Sequence, residues 1–112
     1  MKKVEAIIRP EKLESVKAAL ADIGIFGMTV AEVSGRGRQR GICLQWRVGE
    51  YRVEFLPKVR VEVVVLDEDL EKTLNAIVRK ARTGERGDGK IFVLPVETAV
   101  RIRNGDEGER AI

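Results

Sequence analysis

Between Lys58 and Leu66 a valine occupies every second position: Val59, Val61, Val63 and Val65 alternate with Lys58, Arg60, Glu62 and Val64. A two-residue period of this kind fits a strand with one dry face, and it does not fit a helix, where the same side chains would point in every direction. The valine face needs a cover, and two segments have the period to supply it. Leu13, Val16, Leu20 and Ile23 recur at spacings of three and four, which predicts an amphipathic helix over 11–22. Pro10 suits its first position, Glu11 and Glu14 its opening turn, and Gly24 its end. Leu70, Leu74, Ile77, Val78 and Ala81 predict a second helix, with Asp67 placed to cap it and Arg79, Lys80 and Arg82 suited to its C-terminal end.

Further strands are predicted from Lys3 to Arg9, with Val4, Ala6 and Ile8 facing away from Glu5, Ile7 and Arg9, and from Met28 to Val33 and Lys90 to Val96. A short alternating piece, Val100 to Arg103, would set Arg101 and Arg103 on one strand face, and the polar, glycine-broken tail from Asn104 to Arg110 reads as surface loop. The order is two β-α-β halves, so the expected class is α+β, a ferredoxin-like sheet with both helices on one face. Its open face would carry Glu5, Ile7, Arg9, Lys58, Glu62 and Val64 with Phe92 and Leu94. Such a mixed surface suits packing against sister subunits, or an ordinary solvated sheet face. A chain of 112 residues makes one modestly stable domain, for which assembly would not be surprising.

Between the halves, from Gly35 to about Leu56, the character changes. Gly35, Gly37 and Gly41 are interleaved with Arg36, Arg38 and Arg40, and no acid occurs from Gly35 to Gly49. A connection longer than roughly 15 residues usually has a function. This one reads as a projecting arm, either a loop or a hairpin built from Ile42–Val48 and Tyr51–Phe55, and either a partner surface or a solvated hairpin.

A second special joint, Thr83-Gly84-Glu85-Arg86-Gly87-Asp88-Gly89-Lys90, links the second helix to the last long strand. Its glycines permit positive φ and close approach of a ligand to the backbone, so it can form an anion nest beside Lys90. It is not an ordinary P-loop: Ile91 stands where the magnesium-binding hydroxyl belongs, and the joint runs from helix to strand. A phosphate-holding loop of another kind and a structural glycine turn both remain open. Asp88 can shape the turn by accepting loop amides, with a base as the minor option.

Composition excludes several classes. There is no histidine and one cysteine, Cys43, which removes nucleophile–histidine couples, the usual zinc ligand and an internal disulfide. Aromatics make up 4% and net charge is +3, which leaves few stacking platforms for nucleic acid. No apolar run reaches transmembrane length, and the N-terminus lacks a signal-peptide core, so a cytoplasmic, non-catalytic binding protein is expected. Arg38, Lys58, Arg86, Lys90, Arg101 and Arg103 come from four segments, and a polyanion would bring them together.

These pieces resemble the PII signal-transduction family of nitrogen regulation. Thr83–Phe92 resembles its C-terminal signature, and Lys2–Pro10, Gly27–Val30, Gly35–Gly41, Glu50-Tyr51, Phe55–Val59 and Val100–Arg103 follow its pattern in order from Met1 to Ile112. The resemblance implies a single domain, 1–112, forming a homotrimer that binds ATP or ADP between neighbours. The T-loop would be 36–55, the phosphate loop 82–90 and the C-terminal segment 104–112. It implies phosphate contacts by Gly87, Asp88, Gly89 and Lys90, completed by Gly35, Gly37 and Arg38, with Arg101 and Arg103 reaching in from the adjoining subunit. Ile7, Thr29, Glu62 and Val64 would line the nucleoside side. Gln39 would hold Mg2+, and the ion would hold 2-oxoglutarate, with Lys58 on one carboxylate and Gln39, Arg40 and Gly41 on the rest.

Tyr51 corresponds to a tyrosine uridylylated in some members. Trp46-Arg47-Val48, Leu44, Gly49 and Arg36 depart from the family pattern; at the last, phenylalanine is common. The implied role is control of nitrogen- or carbon-metabolism enzymes or an ammonium transporter, with membrane contact only through the latter. Weak ATP hydrolysis in the same cleft, a relative without oxo-acid response, and an RNA-binding βαβ module are the rival readings.

Overall fold

The computed structural model describes residues 1–38, 42–46 and 49–112, and side chains for all of these except 44–46 and 49–53. Gln39, Arg40, Gly41, Arg47 and Val48, and the side chains of Leu44, Trp46 and Tyr51, therefore lie outside the described residues.

The valine strand is the centre of the fold. It runs as β5, Leu56–Val65, between β1 (Lys2–Ile8) and β2 (Thr29–Gly35). With β6 (Lys90–Pro95) these form an antiparallel sheet in the order β2-β5-β1-β6, and α1 (Leu13–Asp22) and α2 (Leu70–Ala81) follow β1 and β5. This is the ferredoxin-like double β-α-β arrangement. Val4, Ala6 and Ile8 of β1 and all four alternating valines of β5 are buried against Val16, Ala19 and Leu20 of α1 and Ala76, Ile77 and Ala81 of α2. Each buried valine stabilises the fold by about 1.5–3 kcal/mol relative to leaving it exposed, so the alternation defines the core.

Elements differ from expectation where neighbours decide. Strands β2 and β5 extend each other beyond the predicted ends, through Ser34↔Pro57 and Gly35↔Leu56. Pro57 is tolerated because β1 pairing stops at Ile8↔Val59, so its missing N–H breaks no bond on that side. Asp67 does not cap α2. A 3-10 turn, Asp67–Asp69, comes first without a side-chain capping bond, and the Asp67 carboxylate pairs with the Met1 amine at 3.0 Å. Pairing of β1 with β5 delivers that amine, and its hydrogen bond lowers the Asp67 pKa. In α2, Val78 lies at the exposed margin, while Thr73 is fully buried. Its hydroxyl donates to the Asp69 carbonyl at 2.7 Å, which makes burial affordable for a polar group.

The arm is a hairpin, β3 (Ile42–Trp46) with β4 (Gly49–Val53), in register from Ile42↔Val53 to Trp46↔Gly49 and forming a sheet of its own. The Val100–Arg103 piece is not a strand. Val100 makes an isolated bridge to Glu107. The chain between them reverses through Arg101 N→Asp106 O and Gly105 N→Arg101 O bonds of 2.8 Å, with Gly105 at φ 76°. Asn104-Gly105 is turn chemistry, and it overrides the short alternation. Arg101 and Arg103 thus stand on a turn, not a shared strand face, and a 3-10 turn, Gly108–Ala111, orders part of the tail.

Candidate functional site

The joint between α2 and β6 is built around Asp88. Its carboxylate accepts from the Thr83 amide at 2.8 Å and the Gly84 amide at 2.9 Å, from the Thr83 hydroxyl, and from Arg9 Nε at 3.0 Å. The Thr83 hydroxyl bond foremost, with those amides and Arg9, holds its pKa well below the usual carboxylate range against the opposing effect of desolvation. The carboxylate therefore serves the loop itself, as a shaper of the turn.

Arg9 also donates to the Arg86 carbonyl at 2.6 Å, and Lys58 Nζ donates to the Gly87 carbonyl. Gly89, at φ 101°, lies so close to β1 that a Cβ would sit 1.7 Å from the Ile7 carbonyl oxygen, so only glycine fits there.

This loop forms one side of a cleft of about 430 Å³. Gly87, Asp88, Gly89 and Lys90 face Gly35, Gly37 and Arg38 at the root of the arm, with Ile7 and Lys58 between them. Arg36, Glu85, Arg86 and Phe92 complete the lining. Burial lowers the Lys58 pKa and the Arg9 guanidinium lowers it further, while Glu11 and Asp88 pull the other way. Two glycine segments, far apart in sequence, thus meet over several cations, which is chemistry for a polyanion.

Thr29, Glu62 and Val64 are gathered elsewhere, in a second cleft of about 580 Å³ at the other end of β5, beside Gly27, Met28 and the C-terminal Glu109 and Ile112. Thr29 pairs with Glu62 across β2 and β5. Glu62 is held by Lys3 at 3.4 Å and lies 3.1 Å from Arg60 Nε. Neither Arg101 nor Arg103 lines either cleft, and Arg101 pairs with Asp106 at 3.6 Å. Gln39, Arg40, Gly41 and the Tyr51 side chain are outside the described residues.

Sequence reasoning missed the role of Arg9, which it placed on the open strand face. Its partners lie 77 and 79 residues away, and no local pattern signals such a contact.

Fold and site together define an α+β domain of ferredoxin-like topology with a basic, glycine-walled cleft at the root of a hairpin arm. The family described as "Nitrogen regulatory protein P-II" matches residues 1–106, and the chain belongs to that family. It is 55% identical to the "Nitrogen regulatory protein P-II" of Pasteurella multocida (strain Pm70), and 56% identical to that of Haemophilus influenzae (strain ATCC 51907 / DSM 11121 / KW20 / Rd), over the full length of both chains in each case. To "Nitrogen regulatory protein P-II 2" of Methanothermobacter thermautotrophicus (strain ATCC 29096 / DSM 1053 / JCM 10044 / NBRC 100330 / Delta H) it is 54% identical over all of this chain and 97% of that protein. These names are names of regulators, and the chain is accordingly a nitrogen-regulatory signal-transduction protein. Among the described residues no helix is long and apolar enough to cross a membrane.

Proposed function

We propose that this protein is a non-catalytic, cytoplasmic sensor of ATP, ADP and 2-oxoglutarate that controls enzymes or a transporter by docking its arm. The observation that carries the reading is the cleft where Gly35, Gly37 and Arg38 meet Gly87, Gly89 and Lys90. A ligand bound there touches the root of the arm and can bias its conformation.

The two clefts support a shared site in a homotrimer. Lys58 and Val64 are six residues apart on β5, about 20 Å in a strand, so the two clefts open toward opposite ends of the strand. Phosphates held near Lys90 would have their nucleoside on the Thr29, Glu62 and Val64 cleft of a neighbour, with Arg101 and Arg103 of that neighbour reaching the phosphates. The open sheet face suits the packing. Phe92 and Leu94 on it are 52% and 42% exposed.

Mg2+ would be held by the Gln39 carbonyl and by oxygens of phosphate and 2-oxoglutarate. Among the described residues no three His, Cys, Asp or Glu side chains come together, and magnesium commonly takes only one or two protein ligands beside phosphates. Lys58 would leave Gly87 to pair with the oxo acid. The ion joins both ligands, so their affinities are linked.

Calorimetry with ATP and ADP, each with and without Mg2+ and 2-oxoglutarate, tests the reading. Nucleotide should bind, 2-oxoglutarate only with Mg-ATP, and Lys58→Met should keep ATP while losing the oxo acid. A trimer indifferent to both nucleotides would overturn it.

A further inference from the structure

The base of the arm is closed by a contact that none of the roles above uses. Arg36 follows the last residue of β2, and Glu54 and Phe55 precede the first of β5. Arg36 Nη1 lies 3.7 Å from Glu54 Oε2, with the two side chains 48% and 52% exposed. Its Cζ stands 5.8 Å from the centroid of the Phe55 ring. An exposed ion pair this long and an exposed cation–π contact are both weak. Arg36 also lines the cleft, together with Arg38, Lys58 and Lys90. Among the described residues, one carboxylate at that distance does not exhaust its fork of donors.

We propose that Arg36 is a competing cation shared between the arm's base and the ligand. Without ligand it pairs with Glu54 and Phe55 and keeps the base closed. A polyanion in the cleft draws it across, and the base opens. The inference rests on the reading of the cleft as a polyanion site. Latch and ligand are then reciprocally linked: whatever frees Arg36 tightens ligand, and bound ligand loosens the latch. The latch is weak, so the coupling is small and reversible, as a graded response requires.

The test compares wild type, Glu54→Gln, Arg36→Met and the double variant at low salt, with ATP, ADP and inorganic tripolyphosphate as probes in calorimetry. Trp46 is the only tryptophan and lies in β3, so its emission reports the arm. Glu54→Gln should bind at least one probe about two- to five-fold tighter. Its unliganded emission should move toward that of ligand-saturated wild type. Arg36→Met should bind more weakly than wild type, and the double variant should match it.

The same tightening on the Arg36→Met background would mean that loss of a nearby negative charge explains everything, and would overturn the proposal. So would unchanged affinity in Glu54→Gln. If ATP binds and the variants are indifferent, the latch fails and the sensor reading stands. If only tripolyphosphate binds and Glu54→Gln tightens it, the latch stands and the nucleotide reading fails. If no probe binds wild type, both fail.

Discussion

On one wall of the cleft the 82–89 loop is held at several points. Asp88 collects bonds from Thr83, Gly84 and Arg9, Lys58 and Arg9 tie down two loop carbonyls, and the backbone of β1 leaves no room for a side chain at Gly89. On the other wall, the contacts at the base of the arm among the described residues are one long ion pair and one ring contact. A wall already fixed loses little freedom when it receives an anion, which favours binding. A wall held weakly can be moved by what binds, which favours signalling. Under the proposed function, the contrast would give recognition to the loop and response to the arm.

The contrast breaks first if the loop is not as constrained as its contacts say. Gly89→Ala drives a Cβ into the Ile7 carbonyl at a backbone conformation that side chains avoid, so it should destabilise the protein by about 3 kcal/mol or more. Urea unfolding measures this, and an unchanged midpoint would mean that the loop and β1 are not in contact.

Asp88→Asn tests the same wall by pH. The folded Asp88 pKa lies below its ordinary value of 3.8, so its stabilisation is fully present above the unfolded value and is lost as pH falls through the folded one. The stability gap between wild type and Asp88→Asn should be constant above about pH 5 and should narrow below about pH 4. A gap that closes between pH 6 and 8 would point to a different group.

How much of this was legible in the sequence depends on range. Val59–Val65 announced a one-sided strand because period and burial coincide residue by residue, and the two helices followed because they had to cover it. Gly89 and Lys90 stood out because glycine chemistry is local. The capping expectation for Asp67 failed because its partner, the Met1 amine, arrives through strand pairing. The Arg101–Arg103 alternation was too short to outweigh an Asn-Gly turn. Arg9 is the most instructive miss: its role exists only once β1 and the 82–89 loop are neighbours. The division of the nucleoside-side set was equally invisible: Ile7 lines the cleft with Lys90, whereas Thr29, Glu62 and Val64 line the other.

Arg9→Lys makes that miss measurable. Lysine keeps the charge but cannot reach Asp88 and the Arg86 carbonyl together. Because the pair with Asp88 is partly exposed, the expected loss is only about 1 kcal/mol. It should appear as faster amide exchange confined to Thr83–Gly89, with β1 and β5 unchanged. Protection falling across the whole sheet would show that Arg9 supports the fold rather than the loop.

The smallest effect is expected from Phe55→Leu, and it sharpens the contrast from the arm's side. Phe55 is 59% exposed, so trimming the ring removes little buried area. What it takes away is the face on which the Arg36 guanidinium rests, a contact of about 0.5–1 kcal/mol at an exposed site. Global unfolding should barely register that change. Unliganded Trp46 emission should register it, because the population with an open base rises by several-fold at most, in the direction expected for Glu54→Gln. Leucine still offers an apolar surface and leaves the Arg36–Glu54 pair intact, so the shift should be the smaller of the two. A loss above about 2 kcal/mol would place Phe55 among residues whose truncation opens a cavity. The base of the arm would then be as fixed as the loop opposite, and the division of labour between the two walls would disappear.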